Sequence, residues 1–170
     1  MKKYLPAILL IVLGLATRFV PHAPNFTAIG AVAIFAGRYL PKKYALTIPM
    51  LAMLVSDIFI GFYSLPIMIS VYLSFAIMTI VGYYTQNKSF KKVAGGTIFG
   101  SVLFFLITNW AVWAFGTMYS TNIAGLFSSY AAALPFFRNQ LLADVLFTTV
   151  LVGGYELTLQ YVKKLQPQNV

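Results

Sequence analysis

Of 170 residues, 60% are hydrophobic and 9% charged, so water is not the main solvent of this chain, and about six spans of roughly 25 residues leave no room for a soluble catalytic domain. Twelve Lys and Arg against three Asp and Glu give a formal charge of +9, but the basic residues lie between or beside apolar runs, leaving no basic and aromatic surface for nucleic acid. With no cysteine and one histidine, His22, the chain lacks disulfides, thiolate chemistry and a His/Cys metal site, so neither metal nor cofactor is expected.

The first apolar run, 5–20, follows Lys2 and Lys3 and ends at Arg18 and the turn Pro21-His22-Ala23-Pro24-Asn25. Its Gly14-Leu15-Ala16 also has the small residues of a signal-peptide cleavage site. Run 26–40 is short and rich in small residues, with Ala33 and Gly37 four apart, and stops at Pro41-Lys42-Lys43. Run 44–63 turns through Ser64-Leu65-Pro66 into run 67–84, after which a polar stretch carries Lys88, Lys91 and Lys92. Run 93–115 carries Gly96 and Gly100 at the small-xxx-small spacing that lets helix backbones approach. A long connection, 116–137, contains the apolar piece Ile123 to Leu134, too short to span and expected as a re-entrant or interfacial helix. The last run, 138–162, ends at Lys163-Lys164.

The expected fold is therefore an all-α integral membrane protein, one domain over 1–170 with six transmembrane helices and a long outer loop between helices 5 and 6. All nine lysines fall at the two ends of the chain and in the second and fourth connections; the other three connections have none. By the positive-inside rule both termini are cytoplasmic, in a cell inner (cytoplasmic) membrane.

All three acids, Asp57, Asp144 and Glu156, lie inside apolar runs. An aspartate at mid-bilayer costs about 2.5–3.5 kcal/mol on insertion scales, so each should face the bundle interior and have a partner. Counting rise along the helices puts Asp57, Asn109 and Asp144 in the outer half, with Trp110, Trp113, Tyr119, Arg18 and Arg138 near the same level and His22 and Asn25 in the first outer loop. Together they suggest an aromatic-walled cavity open to the outside. The alternative is structural: Trp and Tyr as an interfacial belt, Asp57 locked to Arg18, and Asp144 locked to Asn139 and Arg138. Glu156 suits a structural or partner-docking role, Arg38 a snorkelling one, and the Asn25-Phe26-Thr27 sequon is a chance match unless the host is eukaryotic.

No phosphate-cradling loop, H-E-x-x-H, G-x-S-x-G or Ser–His–Asp set occurs, so no enzyme is expected and the chain does not itself hydrolyse ATP. The stretch Arg18 to Ala31, with its core Pro21-His22-Ala23-Pro24-Asn25-Phe26-Thr27-Ala28-Ile29-Gly30-Ala31, resembles a bacterial family of small membrane proteins of unknown function described only as candidate transport proteins. Ser56-Asp57, Phe104-Phe105, Thr108-Asn109-Trp110, Trp113, Tyr119, Gly125-Leu126 and Ala133-Leu134-Pro135-Phe136-Phe137 extend the resemblance over most of the chain.

Size, helix number, inward termini and the long last outer loop are also similar to the substrate-binding S components of energy-coupling factor transporters. That resemblance implies a vitamin-binding membrane protein working with an energy-coupling transmembrane subunit and its ATPases. The leading expectation is thus a substrate-binding or transport protein for a vitamin-like or other small organic micronutrient. In it Trp110 and Trp113 would stack on the ligand, Asp57, Asn109, Asp144 and Arg138 would orient it, and the Ile123 to Leu134 piece would form a lid. The alternatives are a stand-alone proton- or ion-coupled transporter using Asp57 or Asp144, and a non-transporting scaffold.

Overall fold

Proline, glycine and asparagine decide where the chain stops being helical. In the computed structural model, which describes residues 4–165, the elements are α1 (Leu5–Ala16), α2 (Ile29–Tyr39), α3 (Lys42–Ile60), α4 (Leu65–Tyr84), α5 (Phe90–Phe115) and α6 (Ile123–Leu165). Pro6 and Pro66 sit in the first turns of α1 and α4, where a missing N–H costs nothing. Gly61 ends α3 at φ 109°, a left-handed conformation that a β-carbon would strain, and Asn87 turns the chain between α4 and α5 at φ 56°.

Helix α2 is the axis of the bundle. Every residue from Ile29 to Gly37 is buried, and the helix packs against all five others. Its small residues make this possible. A β-carbon at Gly37 would run into the Thr79 carbonyl of α4, and one at Gly82 into the Ile34 carbonyl of α2, so the two backbones cross almost in contact. The Ala33 and Gly37 spacing is thus used inside the bundle. Gly96 and Gly100 serve the neighbouring interface, against Val81 and Met78 of α4.

Around this core the outer surface is apolar, with Leu9, Leu13, Phe59, Leu73, Phe99 and Leu157 all exposed, as suits lipid and not water. Buried hydroxyls on Ser74, Thr79, Thr97 and Ser101 each bond a carbonyl one turn back on their own helix, so they enter the apolar interior already satisfied. Four helices are long and apolar enough to cross a membrane: Lys42–Ile60, Leu65–Tyr84, Phe90–Phe115 and Ile123–Val162.

Two expectations change. The runs 5–20 and 26–40 yield only α1 and α2, about 18 and 16 Å long against a hydrocarbon core of about 30 Å. Thr17 closes α1 by bonding the Gly14 carbonyl at 2.6 Å and accepts the Ala28 N–H at 3.0 Å, so residues 17–28 form an irregular segment folded back onto the bundle. The long outer loop shrinks to residues 116–122, because the Ile123 to Leu134 piece is the start of α6. It continues through Pro135 and packs along α5: Ser129 Oγ donates to the Asn109 carbonyl at 3.2 Å and the Tyr130 hydroxyl to that of Leu106 at 2.8 Å. At 43 residues α6 is about 65 Å long, more than twice the hydrocarbon thickness.

Candidate functional site

The ends of α3, α4 and α5 opposite the lysine-bearing ends meet residues 17–28 and the middle of α6. Arg18, leaving α1, reaches into α3: its Nη2 lies 2.6 Å from Asp57 Oδ1, and Nη1 donates to the Met53 carbonyl at 3.3 Å and to the Ser56 hydroxyl. The Tyr72 hydroxyl of α4 donates to Asp57 Oδ2 at 2.5 Å. Asp57 is 1% exposed, so this charge is held inside the protein only by its guanidinium partner and one phenol. Nearby Tyr63, in the 61–64 turn, has its phenol pushed up to about 12 by burial and by the negative charge of Asp57, and remains a hydrogen-bond donor at any physiological pH.

Above the Arg18 and Asp57 pair lies a cavity of about 430 Å³. Its polar edge is Arg18, His22, Asn25 and Thr27 from the 17–28 segment, faced by Tyr63, Asn109 and Gln140; its walls combine the rings of Phe75, Phe104, Phe105, Phe136 and Phe137 with aliphatic side chains such as Ile29, Ile60, Ile67 and Val71. Asn25 holds φ 61° in the turn that brings these groups together, and Asn139 of α6 pins the segment by donating to the Pro24 carbonyl at 3.1 Å. Asn109 spends its amide N–H on the Phe105 carbonyl at 2.8 Å, which leaves its Oδ1 as an acceptor for the cavity.

Of the predicted site residues, Arg18, His22, Asn25 and Asn109 line the cavity, and Asp57 stands directly behind Arg18. Trp110 does not: it is exposed, edge-on to Phe115 at 5.8 Å. Trp113 closes the α5–α6 connection by donating from Nε1 to the Ser120 carbonyl at 3.1 Å, and Tyr119 sits in that connection off the cavity lining. Arg138 faces outward. Asp144 is not locked to Arg138 or Asn139, since that stretch of α6 turns those two away from it; its partners are Ser101 of α5 at 2.6 Å and Gln140 at 3.5 Å. Of the predicted lid only Ala133 reaches the cavity. The phenyl walls and Gln140 were the missed residues. Their signal was present in the paired Phe104-Phe105 and Phe136-Phe137 and in Gln140 one turn before Asp144.

The lysine-bearing end has its own charged cluster. Arg38 does not snorkel; it donates to the Thr85 and Lys88 carbonyls at the end of α4 and pairs with Glu156 at 2.8 Å, while the Tyr39 hydroxyl donates to Glu156 at 2.7 Å. Glu156 is therefore a tie between α2 and α6. Lys42 lies over the Tyr83 ring at 4.7 Å, so the ends of α2 and α4, the start of α3 and the last turns of α6 gather here. Lys2 and Lys3 lie outside the described residues.

A family model described as a family of unknown function, DUF6580, matches residues 1–167, nearly the whole chain. The chain belongs to this family. Comparison with curated proteins and with solved structures returns no match. The DUF6580 match takes in every residue of the cavity lining and both ion pairs.

Proposed function

We propose that this DUF6580 protein is a membrane-embedded binding protein for a small organic molecule, serving uptake of a vitamin-like or other planar micronutrient from the side opposite its lysines. One observation carries the reading: a cavity of about 430 Å³, walled by phenyl rings and aliphatic side chains and edged by a few convergent donors and acceptors, at the lysine-free end of the bundle. Its volume falls in the range of small-molecule sites, about 300–1,000 Å³, and mixed aromatic and polar linings of this kind suit planar ligands. The irregular 17–28 segment belongs to the same reading, because non-helical backbone at membrane depth is tolerated where it lines a cavity.

In this reading α3 to α6 cross the membrane, α1 and α2 complete a six-helix topology around the cavity segment, and the lysine-bearing end is cytoplasmic. The chain's own residues supply binding and orientation: phenyl faces for stacking, Asn109 and Asn25 for hydrogen bonds, and Arg18, paired with Asp57, for an electron-rich group. An energy-coupling transmembrane subunit with ATPases is the partner class that the architectural resemblance supplies, and the absence of a phosphate-cradling loop in the sequence is consistent with ATP hydrolysis residing elsewhere.

The test is purification of the full chain from cells grown in rich medium, followed by native mass spectrometry and melting with a panel of vitamins. A retained small molecule, lost by about tenfold or more in Phe105→Ala and in Asn109→Ala, is the expected result, since tenfold corresponds to roughly 1.4 kcal/mol. If nothing is retained and no vitamin shifts the melting temperature, the reading fails.

A further inference from the structure

Two of the three carboxylates have a cation at hand, Asp57 at Arg18 and Glu156 at Arg38. Asp144 has none among the described residues, although it is 1% exposed. Its Oδ2 lies 2.6 Å from the Ser101 hydroxyl, whose single proton is also directed at the Thr97 carbonyl at 2.9 Å, and accepts from Gln140 Nε2 at 3.5 Å. Its Oδ1 lies against Gly30 of α2: a β-carbon at Gly30 would land on that oxygen, and would stand 2.8 Å from Met78 Cε of α4. The faces packed around the carboxyl from α2, α4 and α5 are thus Gly30, Met78 and Ser101, none of them titratable. The ionisable groups on the cavity side are Arg18, Asp57, His22 and Tyr63.

A carboxylate in an apolar interior needs a positive charge to balance it. The described residues bring none to Asp144, so the balancing charge is one that enters the site. A metal ion would need a shell of several oxygens; the site offers one carboxyl, one hydroxyl and one amide, with Gly30 and Met78 closing the remaining side. A proton needs no space. There is also an entrance, because Gln140 both lines the cavity and bonds Asp144. Beyond it the buried hydroxyls continue: Ser101 bonds the Thr97 carbonyl at 2.9 Å, and Thr97 Oγ1 lies 3.4 Å from Thr148 Oγ1.

We propose that Asp144 is a proton-binding site that exchanges with the cavity past Gln140, so that its protonation and the occupancy of the cavity are coupled. In the exchange a hydronium ion in the cavity gives its proton to the Asp144 carboxylate and leaves water; the reverse step regenerates hydronium. The coupling to occupancy rests on the cavity being a ligand site; the proton site itself does not, and its test needs no ligand.

The full chain in lipid vesicles is compared in acid and alkaline buffer by infrared difference spectroscopy. The wild type should show a protonated-carboxyl C=O band in acid that is absent from Asp144→Asn, kept in Asp57→Asn and Glu156→Gln, and shifted in Ser101→Ala, which keeps the acid but removes its hydrogen bond. Exchanging sodium for choline should leave the band unchanged. No band in the wild type, a band surviving in Asp144→Asn, or a change driven by sodium in place of pH would overturn the proposal. Mass spectrometry of the same preparation separates the two readings. A retained molecule without the band leaves the cavity reading standing and removes the proton site; the band without a molecule does the opposite.

Discussion

Arg18 and Asp57 show how much one side chain can carry. Asp57 Oδ1 is buried with no hydrogen bond beyond its contact with the Arg18 guanidinium, so removing the arginine strands a charge inside the protein. Arg18→Met is expected to cost about 3–5 kcal/mol, and pairing it with Asp57→Leu to recover most of that, since a buried pair replaced by apolar groups is often neutral. Unfolding midpoints of the singles and the double mutant in mild detergent check this, and equal losses in all three would refute it. Tyr63 adds a pH signature. Partial burial and the negative charge of Asp57 disfavour the phenolate and push the phenol up from 10 to about 12. The neutral form is thus favoured in the fold, and the stability it contributes is complete below about 10 and lost as pH rises toward 12. Ultraviolet titration of wild type against Tyr63→Phe should place the missing phenolate absorbance at the higher value.

Among the helices, the glycines separate close crossings from open surface. Gly37→Ala and Gly82→Ala push a methyl into the facing backbone and should each destabilise by about 1–3 kcal/mol or more, as overpacking does. Gly153, inside α6 with nothing within 4 Å of its would-be β-carbon, should do the reverse: Gly153→Ala is expected to gain about 0.5–1 kcal/mol from helix propensity. Thermal melts of the three variants in one detergent settle the order. The small-xxx-small spacing of Gly96 and Gly100 was legible in the sequence because it is local. What those glycines face was not, since a spacing says that a helix can be approached closely and not by which neighbour. The Ile123 to Leu134 piece is the clearest case. Its length looked like that of a separate surface helix, yet the bonds from Ser129 and Tyr130 to α5, and the Phe105 and Phe137 rings 4.5 Å apart, hold it in line with the rest of α6 past Pro135.

At the scale of the molecule the question is which end faces which compartment. The chain contains no cysteine, so single-cysteine variants report without background. Met118→Cys, in the connection beside the cavity end, should react with a membrane-impermeant thiol reagent added outside intact cells, and Lys88→Cys only after the membrane is broken. The reverse pattern would turn the cavity toward the cytoplasm and sink the uptake reading. Solvent, helix number and the segregation of the lysines could be read from the sequence because they depend only on composition and on order along the chain. Buried acids were equally visible, since a carboxylate inside an apolar run stands out wherever it occurs. Their partners were decided by the tertiary structure: it chose the Asp57–Arg18 pairing from the alternatives the sequence offered, joined Glu156 to Arg38 across 118 positions, and left Asp144 with a hydroxyl and an amide but no cation among the described residues. Helix periodicity tells which face a residue occupies, whereas partnership depends on how helices distant in sequence are rotated and tilted against one another, and here that is set by the close packing of α2 among its neighbours.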